Sequence, residues 1–159
     1  MSYDTKIDMP SFHLFLKSLA IPPNDPVHRK LGNAFGENYL KFIDDQFTSE
    51  GEYFGGWAEL APSTLESKAK SKDLHGDPAQ MLILSGRMRS AWSYNLTGSE
   101  IDIFNNMESD SGAPYPAFHQ YGIPSNNLPA REMVDFDRIP APVMAGFIED
   151  AVYILRRYL

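Results

Sequence analysis

A run of apolar side chains at helical spacing, just after Asp25-Pro26, constrains the fold of this chain more than any other feature. Asp25 is typical of a helix N-cap and Pro26 of a first helical turn. The side chains of one helix face then recur at steps of three and four residues, at Leu31, Phe35, Tyr39, Phe42, Ile43, Gln46 and Phe47. Since residues at these steps share a face, the run predicts a long amphipathic helix with a wide aromatic face.

Two glycines interrupt the start of this helix. Gly32 and Gly36 lie four residues apart. Glycine lowers helix propensity, but it also lets a neighbouring element approach the backbone closely. We therefore expect close packing against this end of the helix.

The middle of the chain is typical of a β-hairpin. Thr97-Gly98-Ser99 is turn material between residues 81–96 and residues 100–107, and Ile101 and Ile103 alternate with Asp102. A period of two indicates a strand with one buried face. Residues 131–136, "REMVDF", could form another strand, although their alternation is imperfect.

A second amphipathic helix is predicted at the end of the chain, over residues 140–159, with apolar positions at Val143, Met144, Phe147, Ile148, Ala151, Val152, Ile154 and Leu155. The order of elements predicts an α+β fold: a small antiparallel β-sheet, with the long N-terminal-half helix and the C-terminal helix packed on it. We expect one domain over residues 25–159, with an extended loop region at about 48–80 that holds a short helix behind Pro62. Residues 1–24 would form an arm with a helix at 11–20.

Composition removes several classes of function. The net charge is -7 and no dense Lys/Arg cluster occurs, so sequence-specific nucleic-acid binding is not expected. The absence of cysteine excludes disulfides, thiolate zinc sites and a cysteine nucleophile. No apolar run approaches the roughly 20 residues that span a bilayer, and the N-terminus does not read as a signal peptide. We expect a soluble protein inside a cell, without membrane association.

The histidine in "YPAFHQYGIPSNNLPAR", residues 115–131, raises the question of catalysis. A general base needs an orienting partner, often a carboxylate, but His119 is flanked by Phe118 and Gln120. The four histidines do not have metal-ligand spacing. We expect no catalytic, metal or cofactor site. The alternative is a metal-dependent hydrolase that uses His119 with nearby carboxylates, the densest being Asp44-Asp45 and the pair Asp135 and Asp137.

Two other side chains have two readings each. Trp57 is either a lid over the core or an exposed anchor for another subunit, because tryptophan is enriched at interface hot spots. Arg131 forms either a local salt bridge or a planar fork that contacts a neighbouring chain.

The segments "GGWAELAPSTLESK", "ILSGRMRSAW", "YPAFHQYG" and "LPAR" follow one another over residues 50–131. Their order and spacing resemble the tailed-bacteriophage virion morphogenesis and tail completion family. The matching positions, called here the four motifs, are Trp57, Leu60, Thr64 and Lys68; Leu84, Gly86, Met88 and Ala91; Tyr115, His119, Gln120 and Gly122; and Pro129, Ala130 and Arg131. Pro116 after Tyr115, and Glu132-Met133 after Arg131, depart from the family pattern.

The resemblance implies a structural protein that completes the tail or joins head and tail. It implies a homo-oligomeric ring and partners among tail-tube, tail terminator or connector proteins. The protein would lie in the virion and, during assembly, in the host bacterial cytoplasm. We expect Tyr115–Gly122 to be a short helical turn in which His119 and Gln120 hydrogen-bond neighbouring backbone, with Arg131 near a strand start. A peptide adaptor that uses a sheet edge is a third reading that no residue singles out.

Overall fold

The computed structural model of the chain describes residues 14, 17–22, 24–109, 111–135 and 137–158. Most of the helix predicted at 11–20, and with it much of the arm predicted over residues 1–24, lies outside the described residues. Phe136, the last residue of the third predicted strand, also lies outside them.

The described residues form the predicted α+β fold. The antiparallel hairpin consists of β1, Trp92–Thr97, and β2, Glu100–Asn105. Two short 3-10 turns occupy Glu52–Phe54 and Pro124–Asn126. The helices are α1 at Pro26–Ser49, α2 at Pro62–Ala69, α3 at Arg87–Ser90, α4 at Tyr115–Tyr121 and α5 at Ala141–Arg156.

These elements divide into two compact units whose segments alternate along the chain. The first, called the motif unit, contains Ile43–Trp92 and Asn105–Val134. The second, called the helix unit, contains the described residues up to Phe42, then Ser93–Phe104 and the residues from Asp135 onward. All four motifs belong to the motif unit, whereas most of α1, the hairpin and α5 belong to the helix unit.

The core of the helix unit forms where α5 packs on α1, as predicted. Asp25 accepts a hydrogen bond from the Val27 backbone N–H at 2.8 Å, so the predicted N-cap is present. Phe35 and Phe147 meet edge to face with ring centroids 5.4 Å apart, and both side chains are buried. Burial of each such ring contributes about 1.5–3 kcal/mol, so this contact is a main source of stability in the helix unit.

The hairpin approaches α1 at the two glycines, as the sequence predicts. A Cβ on Gly36 would lie 2.6 Å from the Tyr94 ring, and a Cβ on Gly32 would lie 2.5 Å from a terminal methyl of Leu96. Both distances are too short for real contacts, so a side chain at either position requires the strand side chain to move.

We predict that Gly36→Ala and Gly32→Ala differ in sign. Alanine gains about 1 kcal/mol of helix propensity at either position. At Gly36 the clash involves the Tyr94 ring from its first atom, which moves only if the whole ring turns about χ1, so overpacking of about 1–3 kcal/mol offsets or outweighs the gain. At Gly32 the Leu96 methyls can rotate away. Urea unfolding should therefore show Gly36→Ala destabilised by up to about 2 kcal/mol and Gly32→Ala unchanged or stabilised. Equal losses in the two variants would contradict this account of the packing.

Two strand predictions are wrong. The strand predicted over residues 81–96 begins only at Trp92, because Leu82 and Gly86 adopt left-handed backbone angles and α3 occupies Arg87–Ser90. Residues 131–135 form no strand, so Arg131 does not lie at a strand start. Their backbone groups find side-chain partners instead of a neighbouring strand, as described below.

Candidate binding cavity formed by the four motifs

Residues from all four motifs converge on one open cavity of about 540 Å³ in the motif unit. The motif residues that line it are Leu60, Thr64, Lys68, Leu84, Gly86, Met88, Tyr115, His119, Pro129 and Arg131. Segments that are up to 71 positions apart in sequence (60 to 131) therefore share one surface depression. Trp57, Gln120 and Gly122, the other predicted site residues, do not line the cavity.

Arg131 connects the fourth motif to the first. Its side chain is buried, and its Nε and Nη2 donate to the Ala58 carbonyl at 3.1 and 2.9 Å. Nη2 also reaches the Glu59 carbonyl at 3.3 Å. Burial lowers the pKa of Arg131, but a guanidinium remains charged in proteins. The planar fork therefore holds backbone of its own chain in place of a local salt bridge, and contact with a neighbouring chain stays a prediction.

Trp57 covers the core of the motif unit. Only 7% of its surface is exposed, and its ring lies edge to face against Phe47 with centroids 5.6 Å apart. The indole Nε1 donates at 2.8 Å to the carbonyl of Glu132, the residue directly after the fourth motif. Of the two interpretations of Trp57 from the sequence, the lid over the core is confirmed and the exposed anchor is wrong.

Gln120 hydrogen-bonds the neighbouring backbone as expected. Its Nε2 donates to the Val134 carbonyl at 2.9 Å. Its Oε1 accepts from the Met133 N–H at 2.8 Å and from the Val134 N–H at 3.3 Å. All three residues are buried, so one amide satisfies three polar groups that water does not reach. These bonds replace the ladder of the strand wrongly predicted for residues 131–136.

His119 does not use its imidazole in the expected way. Its Nδ1 is buried and has no hydrogen-bond partner among the described residues, while the ring packs against Tyr115 with centroids 4.7 Å apart. The link to the fourth motif comes from the backbone, because the His119 carbonyl accepts from the Arg131 N–H at 2.6 Å. Burial first, and then the charge of Arg131, lower the pKa of His119 to about 4. The imidazole is therefore neutral at pH 7.

The lowered pKa of His119 predicts a loss of stability in mild acid. Its folded-state value of about 4 lies below the usual 6.5, so between these pH values the unfolded chain binds a proton that the folded chain does not. Stability is therefore intact above about pH 6.5 and falls as the pH drops towards 4. We expect the free energy of unfolding to fall by about 2 kcal/mol more between pH 7 and pH 5 than in His119→Phe. If urea unfolding shows the same pH dependence of stability in both proteins, the lowered pKa of His119 is not the cause of the loss.

The remaining predicted site residues shape the wall of the cavity or the backbone behind it. Lys68 is half-buried on α2, and its Nζ donates to the Gln80 carbonyl. Thr64 is on the same helix, and Leu60 precedes it. Gly86 leads into α3 with φ of 75°, and Gly122 ends α4 with φ of 70° and ψ of 172°.

No group of three or more histidine, aspartate or glutamate side chains in the described part of the chain is arranged to hold a metal ion. Two of the four acids named for the hydrolase interpretation have other partners. Asp44 pairs with Arg89 at 2.7 Å, and Asp135 pairs with Arg138 at 3.0 Å. The charged group that influences His119 most is a cation, Arg131, which disfavours binding of a metal ion at the imidazole.

Sequence reasoning missed several residues of the cavity wall, among them Leu82, Ile83 and Met107. It also missed Asn105, whose buried Nδ2 donates to the Met88 carbonyl at 2.8 Å and so holds the second motif. The available signal was the run of apolar residues at 81–84.

Within the described residues, no helix has the length and apolar character needed to cross a membrane. Comparisons of the chain with family models, with curated proteins and with solved structures find no match.

Proposed function

We propose that this chain is a structural protein of a tailed-phage virion, which completes the tail or joins head and tail as a neck subunit. The observation that carries the proposal is the convergence of the four motifs. The segments that resemble the virion morphogenesis and tail completion family line one cavity, and the side chains of Arg131 and Trp57 tie the first segment to the fourth and to the residue that follows it.

The chemistry of these side chains supports assembly over catalysis. Arg131, Gln120 and Trp57 direct their polar atoms to backbone groups of their own chain. His119 is neutral, and no carboxylate of the described residues is placed to orient it as a general base. Groups used in this way fix the shape of a surface and do not exchange protons with a substrate. No specific observation favours the metal-dependent hydrolase.

The charge of the chain fits a component that surrounds DNA without holding it. At a net charge of -7, the surface repels the phosphate backbone, apart from local basic positions. Copies in a closed ring would meet through heterologous contacts, in which one surface faces a different surface on the next copy. The partners of the ring would be tail-tube, tail terminator or connector proteins.

Mass measurement and negative-stain imaging test this proposal. The purified chain is examined alone and after mixing with isolated phage tails and connectors, with an unrelated acidic protein of similar size as control. We expect rings, or added density at the end of the tail or connector, that the control does not produce. A chain that stays monomeric and also binds neither particle would contradict the proposal.

A further inference from the structure

The cavity has an apolar wall of the kind that holds a side chain of another molecule. Leu60, Leu84, Met88, Met107 and Pro129 line it, and 38% of the Leu84 surface is exposed. Its volume of about 540 Å³ falls within the range of roughly 300–1,000 Å³ that is usual for ligand pockets. The cavity therefore has room for a few apolar side chains.

The charges of the cavity are opposite to those of the chain as a whole. Lys68, Arg87 and Arg131 line it, against one acidic residue, Glu59, among its described lining residues. The chain itself has a net charge of -7. These cations come from three separate segments: Lys68 from α2, Arg87 from α3 and Arg131 from the fourth motif. An occupant with acidic groups at more than one point would complement them better than one with a single carboxylate.

Two of the cations retain capacity for an anionic partner. Burial is the main cause that lowers the pKa of Lys68 and outweighs the carboxylates of Asp77 and Glu50, which act in the opposite direction, so a further carboxylate in the cavity would stabilise its ammonium. Arg131 uses Nε and Nη2 for the carbonyls of Ala58 and Glu59, which leaves Nη1 without a hydrogen-bond partner among the described residues. Arg87 is exposed at the cavity.

We infer that the cavity binds a peptide segment of a partner protein in which acidic residues alternate with large apolar residues. The apolar side chains would occupy the wall around Leu84 and Met88, and the carboxylates would meet Lys68, Arg87 and Arg131. The partner's role in tail or neck assembly rests on the proposed function. The binding chemistry does not.

Selection of random heptapeptides displayed on the surface of a carrier, with the full chain as bait, tests the inference. We expect enrichment of peptides in which Asp or Glu lies beside Leu, Phe or Met. The enriched peptide is then synthesised with a fluorescein label, and its affinity is measured by fluorescence anisotropy. Binding should weaken as NaCl is raised from about 50 to about 500 mM, because the shorter screening length reduces charge attraction.

Variants of the lining residues locate the bound peptide. Lys68→Gln and Arg87→Gln should each weaken binding about 5- to 10-fold, and Leu84→Asp at least about 10-fold, since it places a like charge and removes an apolar contact. Lys70→Gln is the matched control. Lys70 directly follows α2, close to Lys68; it is exposed, pairs with Glu66 and does not line the cavity. The affinity of the Lys70→Gln variant for the peptide should stay within about 2-fold of that of the unsubstituted chain.

Several outcomes would overturn the inference. One is a selection that yields no peptide, or enriches neutral or basic ones. Another is equal weakening by Lys70→Gln. Octanoate that displaces the peptide at similar concentration would assign the cavity to small carboxylates. Self-association that is lost in Leu84→Asp would assign it to a second copy. Peptide binding by a chain that does not join phage particles would contradict the proposed function alone, whereas a chain that joins particles but enriches no acidic and apolar peptide would contradict this inference alone.

Discussion

Replacement of Gly122 by alanine should lower the free energy of unfolding by about 3–5 kcal/mol, the largest loss expected of any substitution discussed here. Gly122 has φ of 70° and ψ of 172°, a combination that is essentially restricted to glycine. An added Cβ would also lie 2.7 Å from both the Ala130 nitrogen and the Leu128 carbonyl oxygen. These are backbone atoms, so no rotation of a side chain can relieve the clash.

The effect is measured by urea unfolding, with tryptophan fluorescence and circular dichroism followed together. Gly98→Ala is the control, because Gly98 also has positive φ, at 61°, but a Cβ there would meet no atom within 4 Å. The control should lose only about 1–2 kcal/mol, the strain of the backbone angle alone. If Gly122→Ala loses no more than Gly98→Ala, then the turn between α4 and the fourth motif is not packed as described.

Gln120→Leu should destabilise the chain by about 3–4 kcal/mol, because it leaves buried polar groups unsatisfied at about 1–3 kcal/mol each. Leucine is similar in size but can neither donate to the Val134 carbonyl nor accept from the N–H groups of Met133 and Val134. The segment that begins at Arg131 would lose its main attachment to α4. Hydrogen exchange should therefore show faster exchange at Met133 and Val134 than in the unsubstituted chain.

Asn95→Leu provides the comparison for Gln120→Leu. Asn95 is exposed on β1, and its side-chain amide bonds only to the nearby Thr97 hydroxyl at 3.2 Å. The same chemical change should therefore alter stability by no more than about 0.5 kcal/mol. A small loss in both variants, with unchanged exchange at Met133, would contradict the role given to Gln120.

The elements that the sequence predicted well are those whose signal is local. The three- and four-residue spacing from Leu31 to Phe47 depends only on neighbours along the chain, and so does the alternation at Ile101 and Ile103. Gly32 and Gly36 also indicated the close approach of another element, although not that Tyr94 and Leu96 would make it.

The predictions that failed depend on partners distant in sequence. Residues 131–135 have the composition of a strand, but the Gln120 amide takes the hydrogen bonds that a neighbouring strand would have supplied. His119 was expected to hydrogen-bond through its imidazole, whereas burial leaves the ring neutral and its backbone carbonyl makes the link. The identity of the acceptor cannot be read from local sequence in either case.

The cavity was the least predictable feature. Each motif lies on a different element, and the spacing of Leu60, Leu84, Tyr115 and Pro129 does not indicate that they face one another. Their order in the sequence suggested a family resemblance, but their convergence follows from the long-range bonds of Trp57 and Arg131.

Deletion of the reading frame from a phage or prophage that encodes this chain, followed by electron microscopy of the induced lysate, tests the central claim most directly. If the four motifs build a joint of the virion, the lysate should contain filled heads and separate or incomplete tails. A plasmid copy of the chain should restore joined particles, and a Gly122→Ala copy should not. Normal yields of infectious, fully joined particles without the chain would contradict the claim.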